Sequence, residues 1–581
     1  MVKNRLKLTL VALLLLTLAV PAFVLAQQQG PGRRRDSANA PTQPNPAGPT
    51  GRSTRRQPSD ATSALEEDFA EALSIVEENY VDGNKVDYNN TFKSSIIGML
   101  RTLDPHSNYY DAKEFEEMRT DWRSEYYGIG ATIGDRSVGE ETNTYILATF
   151  ENAPAAKAGL RFGDKIIAVD GADVHGRPSA EVRDKLRGPR GSAVKVTIER
   201  AADGQKQTVE ITRDAVPQPS VPDAYMLKPG VGYIDMTRGF NYTTAEEFNE
   251  ALEKLHREGM TSLVLDLRGN PGGLLDQAVK VASQFLPAGQ PILSQRGRAY
   301  AAHTYRSDNP NPDNVPLVVL VNRNTASASE IVAGALQDHD RALVVGETSF
   351  GKGLVQSIIP LEYGTALTLT SSKYYTPSGR LVQRDYTNEG LYDYYTRGGL
   401  GHEEDAAAAT QKPSGPESKT DTGRSVYGGG GISPDEAVKP RIFQPAQQRL
   451  VNPIFMFVRE LVNGRVSGFE SFKVTQGIDF AHNVKADEFA VTDNLFKTFK
   501  TFVLNEPGYK MTEKQLDANR DFITRQLRYD ISTAAYGTVT ASQVLTADDP
   551  QVVKAIDNMP RARELAAAAR AGRNPAQKSF E

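Results

Sequence analysis

Three short stretches of the 581-residue chain combine residue types that can break an acyl bond. The first reads Asn322-Arg-Asn-Thr-Ala-Ser327-Ala-Ser-Glu330 and continues Ile-Val-Ala-Gly-Ala-Leu-Gln-Asp338. Residues 317–321 before it are uniformly apolar, which predicts a buried strand, and a helix is predicted directly after Ser327. A serine at such a strand-to-helix corner lies beside the free N–H groups and positive end of the helix, where developing negative charge is favoured. Small neighbours, Ala326 and Ala328, leave room for a substrate backbone. The position is equally an N-cap, a role serine often fills. This segment alone leaves both roles open.

The second stretch, Phe350-Gly-Lys352-Gly-Leu-Val-Gln356, places a lysine 25 residues after Ser327. Between two glycines its stem can turn inward. In a dry cleft the ammonium loses solvation and its pKa falls. A fall from about 10.4 to roughly 7 corresponds to about 4 kcal/mol of differential solvation. The neutral amine can then take the proton of a serine hydroxyl, as in Ser-Lys variants of the catalytic triad. Gln356 can accept a hydrogen bond from that amine and orient it. An exposed surface lysine is the competing reading. The third stretch, Leu265-Asp-Leu-Arg268-Gly-Asn-Pro-Gly272-Gly273, follows another apolar strand with glycines that let backbone N–H groups face a carbonyl. One donor from it and one from Ala328 make an oxyanion hole worth about 3–4 kcal/mol per donor. A plain glycine turn fits the same residues.

Other chemistries are poorly served. The chain has no cysteine, which removes thiolate nucleophiles, disulfides and zinc–thiolate sites. Its seven histidines (106, 175, 256, 303, 339, 402 and 482) are scattered, and none belongs to an HExxH helix, so no metal is expected. There is no phosphate-binding glycine loop, and no organic cofactor is expected. A GxSxG elbow, which an esterase would use, is missing as well. A net charge of −5 gives no reason to expect nucleic acid as a partner.

These stretches need a scaffold, and the length suggests three or four domains. Lys3, Arg5 and Lys7 precede an apolar run over residues 8–26, with Val24 and Ala26 at −3 and −1 of a cleavage site. Residues 1–26 read as a secretory signal, and the chain as exported, to a periplasm or another extracytoplasmic space. An uncleaved membrane anchor is the alternative. Residues 27–62 are rich in Pro, Gly, Gln, Ser and Arg and predict a disordered linker. Helical spacing of Leu65, Phe69, Leu73 and Val76 opens a small helical domain over 63–123. Short strands with one helix follow over 124–214, and strands alternate with helices from 215 to 440, which predicts an α/β layered domain. Residues 386–430 are polar and Gly-rich and predict a long mobile insertion; helices dominate the extension from 441 to 581.

Read together, the motifs DLRGNPGG (266–273), VNRNTASASEIVAGALQD (321–338), FGKGLVQ (350–356), YYTPSGRLVQ (374–383) and GGGISPD (429–435) resemble those of the C-terminal processing peptidases, or tail-specific proteases. The resemblance implies a serine endopeptidase in which Ser327 is the nucleophile, Lys352 the general base, and Gln356 its positioner, with Gly273 and Ala328 as the oxyanion hole. Thr325 stands where many members have serine. The family also carries a PDZ domain. Tyr127-Gly128-Ile129-Gly130 is similar to its carboxylate-binding loop, and residues 153–160, 163–171 and 187–191 are similar to its later signatures. Successive N–H groups of Gly128, Ile129 and Gly130 would hold a terminal carboxylate while the peptide adds a strand to the sheet edge. Arg187 would couple tail binding to the active site. The implied fold is multidomain: a crotonase-like layered α/β protease domain, an inserted PDZ domain of mixed strands and helix, and helical N- and C-terminal regions. Expected partners are protein or peptide substrates with free C-termini, with an adaptor or a second copy of the chain also open. A non-catalytic PDZ adaptor is the rival to an enzyme.

Overall fold

The computed structural model describes residues 60–123, 125–298, 301–387, 394, 415–475 and 477–573. The expected signal and residues 27–59 of the expected linker therefore lie outside the described residues, while residues 60–62 already belong to the first helix. Helices α1 (Asp60–Asn79) and α2 (Tyr88–Arg101) form where the apolar spacing predicts them, yet Leu65 and Phe69 are exposed and Leu100 is the one buried apolar residue of the pair. The next residues leave the helices for the body of the molecule. Strand β1 (Asn108–Tyr110) pairs antiparallel with residues 366–368, and α3 (Ala112–Trp122) follows, capped by the Asp111 and Glu114 side chains.

After α3 the chain runs through β2 (Glu125–Gly128) into a six-stranded antiparallel sheet, five strands on its main path and the short strand Ala172–Asp173 paired with the middle one. The main-path strands are β3 (Ala131–Val138), β4 (Glu141–Thr149), β5 (Lys165–Val169), β6 (Ala193–Glu199) and β7 (Lys206–Thr212), joined in that order. Helix α4 (Ser179–Leu186) packs beside β3, and Val182, Ile146, Ile166 and Ile198 close a separate small core. Strand β8 (Asp214–Pro217) pairs back with β2, so this unit leaves and rejoins the body through adjacent strands.

The larger sheet has the order β9 (Ala224–Lys228), β10 (Val231–Asp235), β11 (Ser262–Asp266), β13 (Leu317–Val321), β14 (Leu343–Gly346) and β17 (Glu436–Ala437), where β12 (Pro291–Arg296) belongs to a second sheet. Every pairing from β10 onward is parallel. Both faces are covered, which explains the unbroken apolar run of β13. Leu317, Val319 and Val321 face the helices α5 (Thr244–Arg257), α6 (Leu275–Ser283) and α7 (Ala328–Asp338), while Val318 and Leu320 face the other way. In α5, Phe248, Ala251, Leu252 and Leu255 stand at i, i+3, i+4 and i+7 and are all buried. The second sheet joins β1, β12, β15 (Leu354–Pro360) and β16 (Ala366–Tyr375).

The helical extension supplies the cover for the second face. Val552 and Ala555 of α9 (Pro550–Asp557) and Met559 and Ala562 of α10 (Met559–Arg573) bury Val264, Val318, Leu320 and Val345. Earlier in the extension, α8 (Val451–Val462) packs Phe455 on Tyr145 and Phe162 of the smaller unit, with ring centroids 5.4 and 4.9 Å apart. Arg459 Nε donates to the Gly163 carbonyl at 2.8 Å.

The expectation of a mobile insertion over 386–430 needs correction. Residues 417–427 form a hairpin docked on the end of α7, because its charged groups meet buried partners there. Arg424 pairs with Asp340 at 2.6 Å, and Asp421 with His339 at 2.9 Å. Tyr394 is buried at 1% exposure; residues 388–393 and 395–414 lie outside the described residues. Among the described residues no helix is long and apolar enough to cross a membrane.

Candidate active site

Strand β13 ends in a turn held by side chains. The Thr325 hydroxyl donates to the Leu267 carbonyl at 2.8 Å, so the threonine at this position has a structural use. The Ala326 amide donates to the Asn270 carbonyl at 3.0 Å, which ties the turn to the loop after β11. Ser327 then adopts φ 56° and ψ −114°, a conformation that costs a non-glycine residue about 1–3 kcal/mol and persists only where the surroundings impose it. Its side chain makes no capping hydrogen bond.

Opposite Ser327 stand Gly272 and Gly273, with φ 95° and 144°. A Cβ on Gly272 would lie 2.7 Å from Ser327 Cβ, and one on Gly273 would lie 2.1 Å from the Phe240 carbonyl oxygen, so no other residue fits either place. Asn270, fully buried, anchors the loop: its amide group donates to the Met236 carbonyl at 2.6 Å and its oxygen accepts from Gly272 at 2.9 Å. The Gly273 and Ala328 amides meet no acceptor among the described residues. The two expected oxyanion donors are thus both available, on either side of Ser327.

The tie between Ser327 and Lys352 runs through Glu330, a residue to which the sequence motifs assigned no role. Glu330, fully buried one turn into α7, takes four donors on its carboxylate. One oxygen accepts the Ser327 and Lys352 amides, both at 2.8 Å. The other accepts the Gly351 amide at 2.7 Å and the Ser349 hydroxyl at 2.5 Å. Burial pushes the Glu330 carboxyl above its ordinary value, against the downward pull of these donors. The spacing S-x-x-E after a strand was the signal available for it. A glutamine here would turn an NH₂ group towards one of the two donor pairs and leave that pair unmade. At about 1–3 kcal/mol for each buried unpaired group, Glu330→Gln is expected to lower the urea unfolding midpoint clearly and to reduce turnover by about 10- to 100-fold. Urea melts and initial rates of casein cleavage check both.

Burial also lowers the pKa of Lys352, with the charges of Glu330 and Asp104 opposing that fall. No hydrogen bond joins the Lys352 amine to the Ser327 hydroxyl here, and in unliganded sites such contacts are often long and tighten with substrate. Gln356 differs from expectation. Its amide group donates to Thr370 Oγ1 at 3.1 Å, and that hydroxyl donates on to Asp104 at 2.9 Å; no hydrogen bond links Gln356 to the Lys352 amine. The cause is the register shift between Val355 and Gln356 where β15 meets β16. His106, two residues after Asp104, lies near enough for the charge of Lys352 to oppose its protonation.

Gly128 closes β2, and Ile129 and Gly130 form the bend into β3. The Ile129 and Gly130 amides meet no acceptor among the described residues, while the free edge of β3 runs beside α4. Arg187 caps α4 and sits over the Tyr126 ring at 5.4 Å. Both line a cleft of about 600 Å³ whose far wall is Phe240, Gly272 and Gly273. The cleft joins the smaller unit to the Gly272–Gly273 loop beside Ser327.

A model of peptidase family S41 matches residues 230–389, and a PDZ domain model matches residues 151–200. The chain is 40% identical over 298 residues to a carboxy-terminal-processing protease of Bartonella bacilliformis, covering 50% of this chain and 67% of the relative. It is 34% identical over 336 residues to the carboxy-terminal processing protease CtpB of Bacillus subtilis, covering 57% and 68%. Among solved structures, the photosystem II D1 C-terminal processing protease is 31% identical, with 54% of this chain and 89% of that one covered, at a TM-score of 0.32.

Proposed function

The chain belongs to peptidase family S41 as a PDZ-containing serine protease, and from that footing we propose that it cuts exported proteins held by their C-terminal tails. The observation that carries the reading is the shared Glu330 oxygen, which fixes the backbones of Ser327 and Lys352 against each other. In the cycle Lys352 takes the Ser327 Oγ proton as the oxygen attacks a peptide carbonyl. The Gly273 and Ala328 amides hold the oxyanion, and the proton passes from Lys352 to the departing amine. Water, activated by the same amine, then hydrolyses the acyl-enzyme. The parallel β10–β14 sheet with α5–α7 on one face supports a crotonase-like classification of the protease domain. Export rests on the basic and apolar residues 1–26.

Tail capture is supported by the free Ile129 and Gly130 amides and by the cleft leading to Gly273. An unfolded test protein with a free C-terminus is expected to be cut about tenfold faster at low concentration than the same protein amidated there. Arg187→Glu should shrink that difference, since Arg187 lines the connecting cleft. Equal rates on both substrates would keep the protease and remove the tail-reading role.

A further inference from the structure

The lysine loop is gripped from two sides, and the second grip starts at Gln383, the last residue of the 374–383 motif, and reaches His106 and Tyr394 beyond the motifs. Glu330 holds the Gly351 and Lys352 amides. The next amide, Gly353, donates to Gln383 Oε1 at 2.8 Å. With its oxygen so occupied, Gln383 turns its NH₂ group outward, to the Arg384 carbonyl at 2.9 Å and the Tyr394 hydroxyl at 3.2 Å. The Tyr394 hydroxyl thus accepts from Gln383 and makes a second hydrogen bond with His106 Nε2, 2.7 Å away. The Tyr394 ring also packs on Phe350, the first residue of the loop, with centroids 5.7 Å apart.

We propose that His106 is a positioning residue for the general base: through its hydrogen bond to the Tyr394 hydroxyl it fixes Gln383, the Gly353 amide and so the seat of Lys352. The inference rests on the reading of Lys352 as that base. Its neighbour Asp104 completes the wall, taking Thr370 Oγ1, which in turn takes Gln356. The charged and titratable groups facing the pair are identifiable. Lys352 is faced by Glu330 from α7 and by Asp104 and His106 from the turn before β1, while His106 is faced by Lys352, Asp104, Arg384 and Tyr394. Burial, followed by the Lys352 charge, pulls His106 down to about 3, so the ring stays neutral throughout the working range.

The test uses the full chain, labelled casein as substrate, and kcat and KM measured from pH 6 to 10. His106→Phe keeps a ring and loses the hydrogen bond to Tyr394. It is expected to lower kcat about tenfold with little change in KM, and to move the acid limb of kcat to higher pH as a loosened loop admits water to the amine. His106→Gln, which restores a hydrogen-bonding group of either sense, should recover most of the loss. Tyr394→Phe removes a single oxygen, should reproduce the His106→Phe effect, and carries the test if the latter fails to fold. The double variant should be no worse than either single one. A normal kcat and pH profile for His106→Phe or Tyr394→Phe, or losses that multiply in the double variant, would overturn the proposal. Ser327→Ala and Lys352→Met run beside them: activity surviving in those would instead bring down the Ser-Lys reading itself.

Discussion

Alanine at position 327 is expected to remove peptide-bond cleavage, by about 10⁴- to 10⁶-fold in kcat, while leaving the fold untouched. The exchange keeps Cβ, so the backbone at φ 56° is no more strained than before. The hydroxyl makes no hydrogen bond whose loss would be felt. Stability should therefore stay within about 0.5 kcal/mol. Ser327→Gly separates the two effects further. It is equally inactive, yet it relieves the left-handed conformation and should raise stability by about 1 kcal/mol. Cleavage of labelled casein and thermal melts of the parent and both variants decide the matter. Either variant retaining a few per cent of parental turnover would remove Ser327 from the role of nucleophile.

Lys352→Met should cost about 10³-fold or more in kcat, because the stem is kept and only the proton acceptor is lost. Lys352→Arg should not rescue it, since a guanidinium stays protonated. In the parent, kcat should rise with pH and level off once the amine is neutral. Burial places that plateau below the range of an ordinary lysine. The stability sign follows from the same shift. An amine with a lowered pKa binds fewer protons folded than unfolded, so the parent gains stability as pH climbs through the folded pKa towards 10.5. The methionine variant should accordingly be the more stable protein at neutral pH, with the gap narrowing as pH rises. A variant that stayed active, or a parental kcat flat across pH 6 to 10, would exclude the lysine as base.

What local sequence carries and what it omits divide along a physical line. Ser327, Lys352, Gly273 and Ala328 sit on elements whose strand, turn and helix signals are local, so their surroundings were legible. Gln356 was legible as a partner but its direction was not, because a register shift in a β-pair decides where a side chain points. His106 and Tyr394 carry no local mark of a shared site, and Gln383 was marked only as the end of the 374–383 motif. They meet because β1 crosses into the sheet of β16 and because Tyr394 folds back onto Phe350. The apolar spacing of α1 predicted a helix and said nothing of burial, and the stripe is in fact exposed. Polarity suggested mobility over 417–427, where charge pairing with Asp340 and His339 produces order instead.

The cover on the second face of the large sheet has a consequence for biosynthesis. Val318 and Leu320 are translated about 230 residues before Val552 and Met559, which bury them. Until those helices are made, the strand leading to Ser327 keeps bare apolar side chains on one flank, and the layer that positions Ser327 gains its full apolar cover only when residues 552–562 are in place.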